Sequence, residues 1–116
     1  MSTLRAEVST GKCGPLVTLS GEADVTTAGQ LSELMTAQLT GGTRHLTIDA
    51  AGLAFADSMS VHILLTAAQT LAERGGGLLL LHPQRPVAAV LHLTGVDKLI
   101  TVREETSEDS ASFLET

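Results

Sequence analysis

Residues 46–65 read LTIDAAGLAFADSMSVHILL, and this stretch decides the fold because it joins a strand to a helix. It opens on L-T-I-D, the alternation of apolar and polar residues that is typical of a half-buried strand. From residue 61 onward the apolar residues follow the spacing of a helix with one buried face: Val61, Leu64, Leu65, Ala68, Leu71 and Ala72. Between the two elements lies D-S-M-S at 57–60, whose oxygen atoms suit the free N–H groups of a helix start. We expect Ser58 or Ser60 to cap this helix and the function to lie at this turn.

Strands and helices alternate along the rest of the chain. Two short strands at 4–8 and 16–20 predict a hairpin that closes at Gly21, and a helix follows Thr27, which has Gln30 three residues later in a capping-box pattern. The apolar run 78–81 predicts a strand buried on both faces, followed by a helix from Pro86 to Gly95 and a strand at 99–102. A last short helix is expected in the acidic segment 104–116, which holds Glu104, Glu105, Glu108, Asp109 and Glu115.

The order β-β-α-β-α-β-α-β-α predicts an α/β fold. Strands that alternate with helices form parallel sheets through right-handed crossovers, and the opening hairpin makes this sheet mixed. We therefore expect one domain over residues 1–116, with a mostly parallel sheet of about five strands and about four helices.

Composition excludes several classes of function. Aromatic residues make up 2% of the chain and its formal charge is −6, so neither base stacking nor attraction to phosphate backbones or anionic membranes is expected. The longest apolar run is far shorter than the roughly 20 residues that span a bilayer, and the start of the chain lacks an apolar signal core. The single cysteine, Cys13, suits a reducing compartment, which predicts a soluble cytoplasmic protein.

No signature of an enzyme occurs in the sequence. The four histidines are scattered over different elements, so no metal site is predicted, and no G-x-S-x-G elbow is present. The glycines at 75–77 follow a helix and precede a strand, so they end the helix and are not a phosphate loop. A receiver domain has a similar order of elements, but its paired acids after a first strand are absent. The sequence predicts a binding module without a cofactor.

The turn at 57–60 has two interpretations. One is a helix cap that contributes about 1 kcal/mol of stability. The other is a phosphorylation switch, because a phosphate at a helix start meets free N–H groups and the positive end of the helix dipole. Asp57 would oppose such a phosphate by like-charge repulsion.

Three blocks of the sequence resemble the STAS domain family, specifically its bacterial anti-sigma factor antagonists. They are G-E-A-D at 21–24, the strand-turn-helix unit at 46–65 and R-P-V-A-A-V-L-H-L-T-G-V-D-K-L at 85–99. The resemblance implies a small α/β domain that binds an anti-sigma factor, a serine kinase of the GHKL type, and so releases a sigma factor. Phosphorylation of a serine or threonine in the central motif would end that complex.

The central motif departs from the family pattern D-S-[ST]-G. Asp57 and Ser58 match it, but Met59 occupies the usual phosphoacceptor position and Ser60 replaces the glycine. Either the switch is lost, or Ser58 or alternatively Ser60 has become the phosphoacceptor, or the domain has another role. The resemblance places the partner surface at Asp24, Asp57, Ser58, Met59, Ser60 and His62.

Two other functions within the family stay open at this stage. One is a STAS domain that senses a small ligand or a nucleotide, and the other is a structural component of a multi-STAS signalling complex. The sequence leaves the oligomeric state open.

Overall fold

Five strands and three α-helices alternate along residues 2–103, the part of the chain that the computed structural model describes. The strands are β1 (Leu4–Thr10), β2 (Pro15–Ala23), β3 (His45–Ala56), β4 (Gly77–Leu81) and β5 (Thr101–Arg103). The helices are α1 (Ala28–Leu39), α2 (Ser58–Glu73) and α3 (Arg85–Leu93), and a short 3-10 helix covers Val96–Lys98. The last helix predicted from the sequence falls in 104–116 and lies outside the described residues.

The five strands form one mixed sheet in the order β1-β2-β3-β4-β5. β1 is antiparallel to β2, and the other neighbours are parallel. Each crossover connection from β2 onward therefore leads to the neighbouring strand, always in the same direction across the sheet. Right-handed connections of this kind put all three helices on one face of the sheet. The α/β class, the hairpin and the mostly parallel sheet predicted from the sequence are confirmed.

The core lies between that face and the helices. From the sheet it takes side chains that are fully buried, including Val17, Leu19, Ile48 and Leu80. From the helices it takes Leu31, Leu64 and Leu71, together with Val87 and Leu91. Full burial of one such side chain stabilises a protein by about 1.5–3 kcal/mol, so this layer supplies most of the driving force for the fold.

The opposite face of the sheet has no helix over it within residues 2–103. Leu79 and Leu81 of β4 are half-buried, whereas Leu78 and Leu80 are buried. The prediction that β4 is buried on both faces is therefore wrong. The physical reason is the crossover direction, which places all three described helices on the other face.

β2 continues beyond the end that the sequence predicted. Gly21 lies inside the strand with φ 99°, and a Cβ there would be 2.0 Å from the carbonyl oxygen of Thr3. This glycine permits a close approach of β1 and does not close the strand. β2 reaches Ala23, which brings Asp24 to the carboxyl end of the sheet.

β3 is also long, with twelve residues, and its pairing with β2 shifts register twice. The shifts lie between Thr18 and Ser20 and between Gly21 and Glu22 on β2. The buried residues Leu46 and Ile48 lie before the first shift, Leu53 lies between the two shifts, and Ala56 follows the second. The two strands end side by side, with Ala23 opposite Ala56.

The capping box predicted at the start of α1 does not form. Gln30 Nε2 instead donates a hydrogen bond of 2.7 Å to the carbonyl oxygen of Leu4, the first residue of β1. At the other end of the helix layer, Arg74 ends α2 and donates to the carbonyl oxygens of Leu39 (2.7 Å) and Thr43 (2.9 Å). The glycine stop predicted after α2 is confirmed by Gly75, which has φ 83°.

Candidate functional site

The ends of two neighbouring strands, β2 and β3, bring Asp24 and Asp57 to the same edge of the sheet. Each aspartate is the first residue after its strand. The backbone N–H of Asp57 donates a 3.0 Å hydrogen bond to the carbonyl oxygen of Ala23, which joins the two strand ends directly. We call the surface formed here by Asp24, Asp57, Ser58, Met59 and His62 the carboxyl-edge surface.

Asp57 is the cap of α2. Its backbone is extended, and its Oδ1 accepts a 2.8 Å hydrogen bond from the N–H of Ser60. Its carbonyl oxygen accepts the first bond of the helix, from the N–H of Val61 at 3.0 Å. The prediction that Ser58 or Ser60 caps this helix is therefore wrong, because the preceding carboxylate already satisfies the N–H group at the third helical position.

The three residues after the cap differ in exposure. Ser58 is exposed and the side chain of Met59 is 51% exposed, whereas Ser60 is fully buried. Ser60 is buried because residues four apart share a helix face, and Leu64 and Ala68 follow it on the core side. The two candidate phosphoacceptors, Ser58 and Ser60, therefore differ in exposure. Its Oγ has no hydrogen-bond partner among the described residues.

Asp24 is held in a turn of short polar side chains. Its Oδ1 accepts hydrogen bonds from the N–H (2.9 Å) and the hydroxyl (2.7 Å) of Thr26, and Oδ2 accepts one from the hydroxyl of Ser2. The hydrogen bonds from Ser2 and then from Thr26 lower the pKa of Asp24 below its ordinary value. Both effects favour the carboxylate, so Asp24 presents a fixed negative charge at neutral pH.

Thr27 fixes this turn and was not identified as a site residue from the sequence. Its side chain is 5% exposed, and Oγ1 accepts from the N–H of Asp24 (3.0 Å) and donates to the carbonyl oxygen of Glu22 (3.1 Å). The sequence signal was present, since Thr27 was predicted as the cap of α1. The hydroxyl faces backward to the turn and makes no cap hydrogen bond with the helix.

Exposed apolar side chains accompany the two aspartates. Val25 is 67% exposed and follows Asp24, and Phe55 is 42% exposed two residues before Asp57. Met59 is the third such residue. Neither Val25 nor Phe55 was predicted from the sequence as a site residue. Phe55 could have been found as a large apolar residue that interrupts a run of alanines at the end of a strand.

His62 lies between two shallow grooves on either side of α2. The groove toward α1 has a volume of about 150 Å³ and is lined by Ser32, Met35, Thr36, Leu39, His62, Ile63, Thr66 and Ala67. The groove on the other side has a volume of about 170 Å³ and is lined by Ser58, Val61, His62, Leu65, Thr94 and Val96. Ser58 and His62 therefore share one groove with Thr94, which the sequence analysis did not select.

Residues 2–103 contain neither a cluster of metal ligands nor a membrane-spanning helix. No three His, Cys, Asp or Glu side chains are grouped so that they could hold a metal ion. No helix in this part of the chain is long and apolar enough to cross a membrane.

Comparison with known proteins points to one family. A family model described as "Mlab, STAS domain" matches residues 7–101. No curated protein sequence matches the chain.

Several solved structures share the fold. An anti-sigma factor antagonist from Mycobacterium paratuberculosis is 24% identical, with a TM-score of 0.81 over 98% of this chain and 96% of that one. The anti-sigma factor antagonist SpoIIAA in its unphosphorylated form is 21% identical, with a TM-score of 0.73 and 96% of each chain covered. The Bacillus cell fate determinant SpoIIAA in its phosphorylated form is 19% identical, with a TM-score of 0.67 over 97% of this chain and 99% of that one.

Proposed function

The chain belongs to the STAS domain family, and from that membership we propose that it is an anti-sigma factor antagonist that acts in the cytoplasm. In this role it binds an anti-sigma factor, a serine kinase of the GHKL type, and thereby releases a sigma factor. It acts as a binding protein and not as an enzyme. The observation that carries the proposal is the bond between Asp57 and Ala23, which sets Asp24 and Asp57 side by side at the start of α2.

The carboxyl-edge surface has the properties of a docking site. The Asp24 turn and the α2 cap are both fixed by hydrogen bonds, so little conformational entropy is lost when a partner binds. Exposed Met59 supplies an apolar anchor beside these charges. Interfaces of this kind draw most of their binding energy from a few buried anchors with charged residues around them.

The regulation that we propose centres on Ser58. Its hydroxyl is exposed and takes no part in the helix cap, since Asp57 fills that role. We favour Ser58 over the alternative Ser60 because Ser60 is fully buried in the folded domain. A phosphate on Ser58 would add about 1.5–2 negative charges next to Asp57 and beside the apolar Met59. The like charges would repel each other and the phosphate would have to lose its water at the interface, so we expect the partner to be released.

The solved structures of SpoIIAA support regulation of this type in the fold, since that protein is known in a phosphorylated and an unphosphorylated form. In this chain we propose Ser58 as the phosphoacceptor because it is exposed and because it lies in the central motif. Met59 has a thioether and cannot accept a phosphate.

Binding to kinases of the GHKL type encoded with this protein tests the proposal. We expect Met59→Lys to weaken binding at least about tenfold, because it replaces the apolar anchor by a charge. Gln69→Lys is the matched control, since Gln69 is exposed on the same helix three turns away. If the unmodified protein binds none of these kinases with ATP, with ADP or without nucleotide, the proposed function is wrong.

Phosphorylation of Ser58 is tested separately by incubation with the bound kinase and ATP, followed by intact-mass measurement. We expect one added phosphate in the wild type and none in Ser58→Ala. An unmodified wild-type mass would leave the binding function in place and remove the proposed switch.

A further inference from the structure

Strand β1 forms one edge of the sheet. It pairs with β2 on one side, and no described strand lies on its other side. Six of its seven residues, all except Leu4, are exposed. An open edge presents unpaired N–H and C=O groups that are able to pair with another strand.

The hydrogen bonds at the two ends of the hairpin show which residues face outward. Glu22 N–H donates to the carbonyl oxygen of Thr3 (2.9 Å), and Gly11 N–H donates to that of Gly14 (2.7 Å). In an antiparallel pair, alternate residues exchange both bonds with the partner strand. The backbone N–H and C=O groups of the odd-numbered residues of β1 therefore point toward β2. Those of the even-numbered residues point away from it.

Within residues 2–103, most of the outward groups along this edge have no hydrogen-bond partner. The carbonyl oxygen of Leu4 accepts from Gln30 Nε2, which confirms its outward direction. No described residue bonds the outward groups of Ala6, Val8 and Thr10. Val8 is also 50% exposed, so the edge offers an apolar side chain as well as backbone groups.

The sequence of β1 is complementary to itself in one register. In a symmetric pair, a two-fold axis relates β1 of one copy to β1 of a second copy. The even-numbered residues carry the outward backbone groups and must pair with each other, so the axis passes through a residue. Most of the strand pairs only if that residue is Ala6, Glu7 or Val8. An axis at Glu7 places two glutamates opposite each other, and an axis at Val8 leaves Arg5 without an acidic partner. An axis at Ala6 places Arg5 of each copy opposite Glu7 of the other copy. It also places Val8 of each copy opposite Leu4 of the other. Opposite charges at facing positions stabilise a strand pair, and like charges destabilise it.

We propose that β1 pairs with β1 of a second copy of this chain, antiparallel and centred on Ala6, so that two five-stranded sheets become one continuous sheet of ten strands. The carbonyl oxygen of Leu4 has two lone pairs and accepts both from Gln30 and from the second copy. Charges on an edge strand ordinarily keep other strands away. Here their opposite signs, two residues apart, make one register attractive.

The oligomeric state as a function of concentration tests this dimer. By light scattering after size exclusion, and by sedimentation, we expect twice the monomer mass at high concentration. Arg5→Glu places four acids at the interface and is expected to raise the dissociation constant at least about tenfold. The double variant Arg5→Glu/Glu7→Arg exchanges the charges and is expected to restore dimerisation. A protein that stays monomeric up to about 1 mM overturns the proposal. So does a dimer that Arg5→Glu leaves unchanged.

Cross-linking tests the register. In a Cys13→Ser background, Ala6→Cys places two thiols on the two-fold axis, where facing Cα atoms are about 5.5 Å apart and within disulfide range. Thr10→Cys is the matched control on the same edge, because the two copies of residue 10 lie eight residues apart, about 27 Å. Rapid oxidation to a covalent dimer is expected for the first variant only. Equal cross-linking of both variants overturns the proposed register. Circular dichroism of each monomer separates these results from a loss of folding.

Discussion

Met59 and Ser60 are adjacent departures from the pattern that the sequence resembles, and the structure gives them different consequences. Met59 is half exposed, so a methionine in place of the family's serine or threonine changes the chemistry of the surface and leaves the core unchanged. Ser60 is buried, so a serine in place of the family's glycine changes packing and hydrogen bonding inside the domain. The fold therefore does not require a residue without a hydroxyl group at position 59.

Met59→Ser is expected to create a second phosphoacceptor. A small hydroxyl at this exposed first-turn position fits without strain, and stability should change by less than about 0.5 kcal/mol. Intact-mass measurement after incubation with the partner kinase and ATP should show one phosphate more than in the wild type. In the Ser58→Ala background the same substitution should give a single phosphate. If Met59→Ser gains none, more than the acceptor side chain separates this surface from a kinase substrate.

Ser60→Ala is expected to stabilise the domain by about 1 kcal/mol, because it removes a buried hydroxyl that has no partner among the described residues. Urea unfolding gives the free energy of unfolding. Ser58→Ala is the control, since that exposed side chain makes no cap bond and its loss should have little effect. A clear destabilisation by Ser60→Ala would mean that the hydroxyl has a partner in solution.

Asp24 should titrate below its ordinary pKa of 3.8, because the hydroxyls of Ser2 and Thr26 stabilise its carboxylate. The folded domain then holds this proton less tightly than the unfolded chain does. The contribution to stability is complete above the unfolded pKa and is lost as the pH falls through the folded pKa. Carboxyl NMR measures the titration directly. Thr26→Val should move the midpoint upward, and an unchanged midpoint would contradict the assigned cause.

At the scale of elements, α2 is fixed at both ends by different chemistry. Asp57 caps its start and ties it to the end of β2, while Arg74 at its end bonds the segment after α1. The first contact positions the carboxyl-edge surface. The second holds α1 and α2 together at the opposite end, which keeps the groove beside His62 in shape.

Arg74→Met is expected to lower the free energy of unfolding by about 2 kcal/mol, since it leaves two carbonyl oxygens without a charged donor. Methionine retains most of the apolar stem, so the loss reports on the hydrogen bonds. Arg85→Met is the control at an exposed helix start and should cost less than about 0.5 kcal/mol. Similar losses in denaturant unfolding of the two variants would show that the bonds of Arg74 contribute little.

For the whole molecule, the main consequence of the topology is that the described helices cover one face of the sheet. β4 illustrates the difference, because its adjacent leucines point to opposite faces. Leu80 is fully buried under the helices, and Leu79 is half-buried on the other face. The sheet therefore derives its stability mainly from one layer of contacts.

Leu80→Ala should cost about 2–5 kcal/mol, as expected for a leucine removed from a packed core. Leu79→Ala, one residue away in the same strand, should cost less than half as much. Thermal or urea unfolding of both variants measures the difference. Equal losses would indicate that the second face is covered in solution.

The sequence by itself determined the order of the elements and placed residues 57–60 at the joint between β3 and α2. These features follow from local periodicity and from residues such as Gly75 and Gly95, so they need no knowledge of distant contacts. The proximity of Asp24 to this joint was available only through the family resemblance. Asp24 and Asp57 are 33 positions apart in the chain, and no local pattern links them.

Tertiary structure alone decided which atoms meet. Gln30 bonds Leu4 of β1 and not its own helix start, and Asp57 makes the cap that was predicted for Ser58 or Ser60. Ser60 is buried because α2 turns that face to the core, and Leu79 is only half-buried because no helix of residues 2–103 crosses its side of the sheet. Hydrogen-bond partners and covered faces depend on groups far apart in the chain, and only their packing together selects one arrangement among those that the local sequence permits.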